Sequence, residues 1–316
     1  MNNLIYSLNG TVPIFAMMVL GYCLKRRKMI TEEFVTSANR YVFRIALPVM
    51  LFKDLWEADI RSDFDWKFVV FCFAASVICF GLIWIGADLF LKDKTMVGAF
   101  VQGSFRSSAA VLGLAFINNI YGDVGLAPLM IIGAVPFYNV ASVVVLTFRG
   151  RNTDSVSGRK GIAQACKNIV TNPIIIGIVV GIMASLVKLK LPVMVTKTLD
   201  LVEQTATPLA LLAIGAGFTF TSAKEKLKPS LMATFIKLIL QPMVFIPVAM
   251  FLGFHKQEML AILIMLASPA TASGYIMAKE MDNDHELSSC IIVFSTLFSA
   301  FTLTLWIYIL KCLGRL

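Results

Sequence analysis

The chain has 316 residues, 58% hydrophobic and only 15% charged, with a mean hydropathy of +0.80. Soluble domains carry about a quarter charged residues, so this composition excludes an ordinary soluble enzyme or signalling domain and predicts an all-α integral membrane protein. The formal net charge of +9 fits basic cytoplasmic loops better than a nucleic-acid partner, because Lys and Arg accumulate on the inner side of membrane proteins.

Apolar runs of roughly 20 residues, each long enough to cross about 30 Å of hydrocarbon as a helix, recur along the whole chain. The spans predicted in order are 6–24, 36–54, 66–91, 96–120, 126–148, 169–187, 197–220, 229–252, 256–279 and 286–310. The first has no basic stretch before it and no small-residue cleavage site after it, so it reads as a retained helix and not a signal peptide. Residues 149–168 are polar, basic and Gly/Ser-containing, and read as a cytoplasmic linker at the midpoint. They divide a first five-helix repeat, 1–148, from a second, 169–316. Loop Lys and Arg divide 15 to 9 in favour of the side that holds this linker, which predicts that both termini lie outside the cytoplasm.

The two halves match without a gap at an offset of 160 residues. Pro13 pairs with Pro173, Gly21 with Gly181, Ala46 with Ala206, Pro48 with Pro208, Leu51 with Leu211, Ser108 with Ser268 and Ala110 with Ala270. Five spans is an odd number, so the second repeat is expected upside down relative to the first. Inverted repeats are a recurring plan of secondary transporters, with the substrate at the midplane where discontinuous helices meet.

The fourth span, VQGSFRSSAAVLGLAFINNIYG, is rich in Gly, Ser and Ala from Gly103 to Gly113. Its partner, the ninth, carries Pro269 within ASPATASG. Proline removes a donor and clashes with the preceding turn, and Gly and Ser weaken the helix further. Breaks at membrane depth are tolerated where protein or a water-filled cavity meets the freed backbone groups, and exposed helix N-termini suit a carboxylate. Close packing of small residues, of which Gly177-x-x-x-Gly181 is an instance, is the other reading of such segments.

Arg106 lies about 16 Å past the Lys94–Thr95 loop at 1.5 Å per residue, near the bilayer centre. An arginine there faces a cavity or a partner, and its planar fork suits a carboxylate; a structural ion pair or bonds to broken-helix carbonyls are the alternatives. Arg44 and Lys237 lie close enough to span ends for snorkelling to account for both. Glu203, near the outer end of the seventh span, reads either as a proton-coupling carboxylate or as an interfacial one. Asn139 and the set Ser295, Thr296 and Ser299 either line a site or bond across helices. Pro13, Pro48, Pro173 and Pro208 are expected to kink supporting helices.

The six cysteines stand singly, without disulfide or zinc spacing. There is no HExxH, GxSxG, P-loop or Rossmann fingerprint, and His255 and His285 are the only histidines, at loop edges. No catalytic residue, cofactor or metal site is expected, and the protein is not expected to be an enzyme.

Taken in order, NRYVFRIALPVMLFKDL, GSFRSSAAVLGLAFINNIYGD, ASPATASGYIMAKEMD and STLFSAFTLTLWIYIL resemble the auxin efflux carrier family over essentially the whole chain. Bacterial members are often named malate or malonate permeases, and plant PIN-type auxin exporters belong to the same family. The resemblance implies ten helices in a five-plus-five inverted repeat. Spans 1, 2, 6 and 7 would form a scaffold, which could support a homodimer, and spans 3–5 and 8–10 a transport domain. Broken helices 4 and 9 would cross where a substrate carboxylate binds, with elevator-like alternating access. Plant members have proline at both crossings, whereas this chain has only Pro269; bacterial members often have Asn where Ser108 stands.

The expectation is a carrier of small carboxylates in the cytoplasmic membrane. Arg106 would supply the charge, and Ser107, Ser108, Ser268, Pro269, Thr271, Ser273 and Asn139 the rest of the site, with Glu203 the candidate for coupling. The alternatives are a cation-coupled carrier of the bile-acid type, and a channel or non-transporting membrane receptor. A bile-acid-type sodium site needs convergent Glu, Gln and Asn, and the ninth span lacks such an acid.

Overall fold

The computed structural model describes residues 2–57, 65–109, 117, 126–149 and 159–316. Among these the regular structure is entirely helical. In chain order the helices are α1 (Asn2–Arg26), α2 (Glu32–Tyr41), α3 (Leu47–Trp56), α4 (Trp66–Phe90), α5 (Val97–Phe105), α6 (Ala127–Phe148), α7 (Arg159–Val170) and α8 (Pro173–Leu186). They continue with α9 (Val193–Gly217), α10 (Phe220–Glu225), α11 (Leu227–Phe235), α12 (Gln241–Phe251), α13 (Lys256–Ala267), α14 (Ala272–Glu280) and α15 (His285–Cys312).

Helix starts follow local chemistry. The side chains of Thr31, Asp65 and Asp284 accept from the N–H groups of Phe34, Phe68 and Leu287 at 3.2, 3.0 and 3.0 Å, meeting donors that a first turn leaves free. Pro173 opens α8, where its missing N–H costs nothing, and Asn172 Oδ1 accepts from Ile174 N–H at 2.9 Å.

Five stretches among the described residues are long and apolar enough to cross a membrane: Trp66–Phe90, Pro128–Phe148, Leu227–Phe251, Lys256–Glu280 and His285–Cys312. The bent pair Ala163–Val170 and Pro173–Leu186, 55° apart, makes a sixth if taken as one span. The expected first and second spans fall within α1 and α2–α3, and the seventh overlaps α9, which ends at Gly217, before the expected 220. The fourth begins as α5, and its residues 110–116 and 118–120 lie outside the described residues, as does 150–158 of the expected linker. The linker's later part is helical, in α7.

Two spans contain a single π-turn, Val42–Ala46 between α2 and α3 and Ile236–Leu240 between α11 and α12. Each ends two residues before a proline, Pro48 or Pro242. A proline ring cannot donate and clashes with the carbonyl four residues back, and widening the turn relieves both problems. At the second site the carbonyl in question, that of Leu238, accepts from Trp306 Nε1 at 3.0 Å.

α1 packs along α9, and α3 along α8. Glycines permit both approaches. A Cβ on Gly21 would collide with the Leu212 carbonyl, and one on Gly181 would lie 2.8 Å from the Phe52 carbonyl oxygen. The two contacts map onto each other when both partners are shifted by 160 residues.

α5 and α13 occupy the centre. Every residue of Val97–Phe105 and of Met259–Ala267 is buried. α4 instead exposes Val70, Phe73, Ile78, Leu82, Ile85, Leu89 and Phe90, an apolar outer face that suits lipid.

Candidate functional site

Two central helices stop inside the molecule. α5 ends at Phe105, and Arg106 turns the backbone to an extended conformation at φ −80°, ψ 130°. α13 ends at Ala267, with Ser268 at φ −72°, ψ 155° and Thr271 at φ −81°, ψ 142°, before α14 resumes at Ala272. The extended segments meet: Ser108 N–H donates to the Pro269 carbonyl at 3.0 Å. Breaks at membrane depth leave backbone groups that need partners, and here each break supplies one for the other.

The remaining ends of α5 are met by side chains of the π-turn region. Gln241 Nε2 donates to the Ser104 carbonyl at 2.6 Å. Lys237 Nζ donates to the Phe105 carbonyl at 3.2 Å and to Ser107 Oγ. Lys237 is fully buried, with 0% exposure. The snorkelling expected of it is therefore corrected: its ammonium points inward to the end of a broken helix, where a cation complements the negative dipole end. Arg44, by contrast, is exposed. Ser107 Oγ also donates to the Met265 carbonyl, which Tyr138 approaches at 3.4 Å.

Arg106 is 5% exposed. Its Nη2 donates to Asn139 Oδ1 and to Ser273 Oγ, both at 2.8 Å, and Nη1 reaches Met277 Sδ at 2.8 Å. Asn139 is itself oriented by donating to the Val135 carbonyl at 2.9 Å, and Ser273 Oγ lies 3.1 Å from Thr271 Oγ1. All these partners are neutral. Among the described residues no carboxylate pairs with Arg106.

Two clefts flank the crossing. One, of about 380 Å³, is lined by Arg106, Ser107, Ser108, Asn139, Thr271 and Ser273, with Tyr138 and Asp54 on its wall. The other, of about 550 Å³, is lined by Ser108, Pro269, Thr271, Ser273 and Thr296 with an apolar wall from α3 and α9. They share Met50, Ser108, Thr271 and Ser273.

Seven of the expected residues thus converge: Arg106, Ser107, Ser108, Asn139, Pro269, Thr271 and Ser273. Ser268 is buried but lines neither cleft. Ser295 Oγ accepts from Ala270 N–H at 3.1 Å, Thr296 lines the larger cleft, and Ser299 donates to the Thr296 carbonyl at 2.9 Å. Glu203 stands apart, 2.9 Å from Lys53 Nζ, which also binds Asp200 at 2.6 Å. Sequence reasoning did not find Gln241, Tyr138, Met277 or Asp54, and it gave Lys237 no part in the site. Only Lys237, a charge inside an apolar run, left a signal in the sequence.

The sequence model of a family described as membrane transport proteins matches residues 6–307, nearly the whole chain. The chain belongs to this family, that of the auxin efflux carriers. It is 26% identical to "Uncharacterized transporter YfdV" of Escherichia coli (strain K12), over 97% of this chain and 98% of that protein. It is 23% identical to a Rhizobium meliloti (strain 1021) protein named "Putative malonate transporter", over 95% and 94% of the two chains. With "Auxin efflux carrier component 8" of Arabidopsis thaliana it shares 20% over 96% of each chain. The expected family membership is met, and the protein is a multi-pass membrane protein of a transporter family.

Proposed function

We propose that this protein is a secondary carrier of small carboxylates in the cytoplasmic membrane, and that the substrate carboxylate binds Arg106 at the crossing of the two broken helices. The observation that carries this reading is the pairing of Arg106. A buried guanidinium without an anionic partner is costly at membrane depth, and this one is held by neutral acceptors beside a cleft. A carboxylate entering there would complete a charge-assisted, bidentate bond. The name of the Rhizobium relative makes malonate the first substrate to try.

The same reading takes the architecture as ten helices in two inverted repeats. The 160-residue offset and the paired contacts of Gly21 with Leu212 and Gly181 with Phe52 support it. Helices α1, α3, α8 and α9 would form the scaffold, and the buried α5 and α13 the core of an elevator domain that carries the crossing. Both termini would lie outside the cytoplasm, and scaffold faces would support a dimer.

Counterflow of labelled malonate, malate and indole-3-acetate in proteoliposomes tests the proposal. Saturable exchange of at least one acid is expected in wild type, with half-saturation much weakened in Arg106→Ala. Exchange that persists unaltered in a folded Arg106→Ala variant would overturn the placement of the carboxylate.

A further inference from the structure

The smaller cleft holds one more ionisable group than a simple anion site needs. Asp54, half-buried on α3, lines it together with Arg106, Tyr138 and Asn139. Its neighbour Lys53 is already engaged by Asp200 at 2.6 Å, Glu203 at 2.9 Å and Glu57 at 3.6 Å. Among the described residues no cation lies within ion-pair distance of Asp54. Among the described residues the charged groups near it are Lys53 and Glu57 on its own helix, Glu203 on α9 with Asp200 on the shared Lys53, and Arg106, which lines the same cleft. α8, which also packs on α3, has no titratable side chain. Lys237, the other buried cation, is turned to the Phe105 carbonyl and lines neither cleft.

We propose that Asp54 is the proton-carrying acid of this transporter, protonated when a substrate carboxylate occupies Arg106. The inference rests on the carboxylate reading above. With Asp54 ionised, the cleft holds one positive and one negative side chain, and an arriving anion meets a like charge. With Asp54 protonated, the charge of Arg106 is uncompensated and the anion is welcome. Two like charges in one site cannot both form cheaply. Linkage then requires that anion binding draw a proton onto Asp54 by the same factor that protonation favours the anion. The proton comes from water on one side of the membrane, forms an O–H bond with the Asp54 carboxylate, and returns to water on the other side when that bond breaks. The substrate itself is chemically unchanged.

This assignment moves the coupling role from Glu203 to Asp54. Glu203 lines neither cleft, and its carboxylate is already held by Lys53 at 2.9 Å.

The test uses the full-length protein in proteoliposomes, with the best-transported of malonate, malate and indole-3-acetate and a pH-sensitive dye in the lumen. Substrate influx in wild type should carry protons with it, and half-saturation should tighten as pH falls, within the range of about 5- to 150-fold expected of coupled sites. Asp54→Asn, a permanent mimic of the protonated acid, should hold affinity at its acid-side value at every pH and abolish lumenal acidification. Asp54→Ser serves if the Asn variant does not fold. Glu203→Gln should keep the pH dependence. Flux in wild type without proton movement, or pH-dependent affinity that survives in Asp54→Asn, overturns this proposal and leaves the carboxylate reading standing. Absence of saturable flux for all three acids in wild type, or a normal Arg106→Ala variant, overturns both.

Discussion

The amide of Ser108 and the carbonyl of Pro269 face each other at 3.0 Å across two broken helices. Neither group has a partner within its own helix, so the break in one span is stabilised by the break in the other. Segments 161 residues apart in the chain are thereby joined at the centre of the molecule, and the side chains that flank both breaks share one pair of clefts.

Replacing Arg106 tests the substrate role. Hydrogen bonds to charged groups contribute about 1.5–3 kcal/mol, so Arg106→Ala should weaken malonate binding by about 10- to 100-fold. Arg106→Lys, which keeps the charge but loses the planar fork, should fall between the two. Counterflow half-saturation, measured on protein that elutes and melts like wild type, reads the effect.

The caps on α5 should be worth stability as distinct from specificity. Lys237→Met and Gln241→Leu each leave a buried carbonyl without its donor, at a cost of about 1–3 kcal/mol. Because Lys237 and Gln241 serve adjacent carbonyls and approach each other at 3.4 Å, the double variant should fall short of the sum. Thermal unfolding in detergent would settle this, and strict additivity would show that the two act independently.

Gly21 and Gly181 should behave alike because they occupy equivalent contacts. A methyl at either meets backbone, which cannot rotate away, so Gly21→Ala and Gly181→Ala should each destabilise by about 1–3 kcal/mol. Gly86 in α4 has open space where its Cβ would sit. Gly86→Ala should be neutral or mildly stabilising, since Gly costs about 0.5–1 kcal/mol relative to Ala in a helix. Melting temperatures of the three variants in one detergent provide the comparison.

Outside the membrane, Lys25 Nζ lies 2.6 Å from Glu32, and this hydrogen bond holds the Glu32 carboxyl below its ordinary value of 4.5. A depressed carboxyl stabilises the fold above its ordinary value and loses that contribution as pH falls through the lowered one. Glu32 is well exposed, so the effect should be small and should fade in salt. A low-salt pH series of melting temperatures should show a slight acid-side decline in wild type that Glu32→Gln lacks; an identical decline in both would assign it to other groups.

Much of the site was legible because membrane interiors are intolerant. A proline such as Pro269 or an arginine such as Arg106 within an apolar run demands an explanation, and both lie at the crossing. Lys237 was misjudged and Asp54 passed over for a shared reason. Each stands near a predicted span end, where water is assumed within reach, and linear distance from a span end does not reveal which way the side chain points. Glu203 drew attention on the same grounds, yet Lys53 lies close enough to neutralise it.

Composition and apolar run length alone determined that this chain lives in a membrane as helices, because no soluble core needs so few charges and lipid forbids unsatisfied backbone. The proline, serine and arginine positions further determined where the central helices break. Only the tertiary structure decided what meets those breaks: Ser108 against Pro269 and Lys237 against Phe105. Such pairs depend on how helices rotate and pack over more than a hundred residues of separation, and uniformly apolar spans leave that rotation unmarked in the sequence.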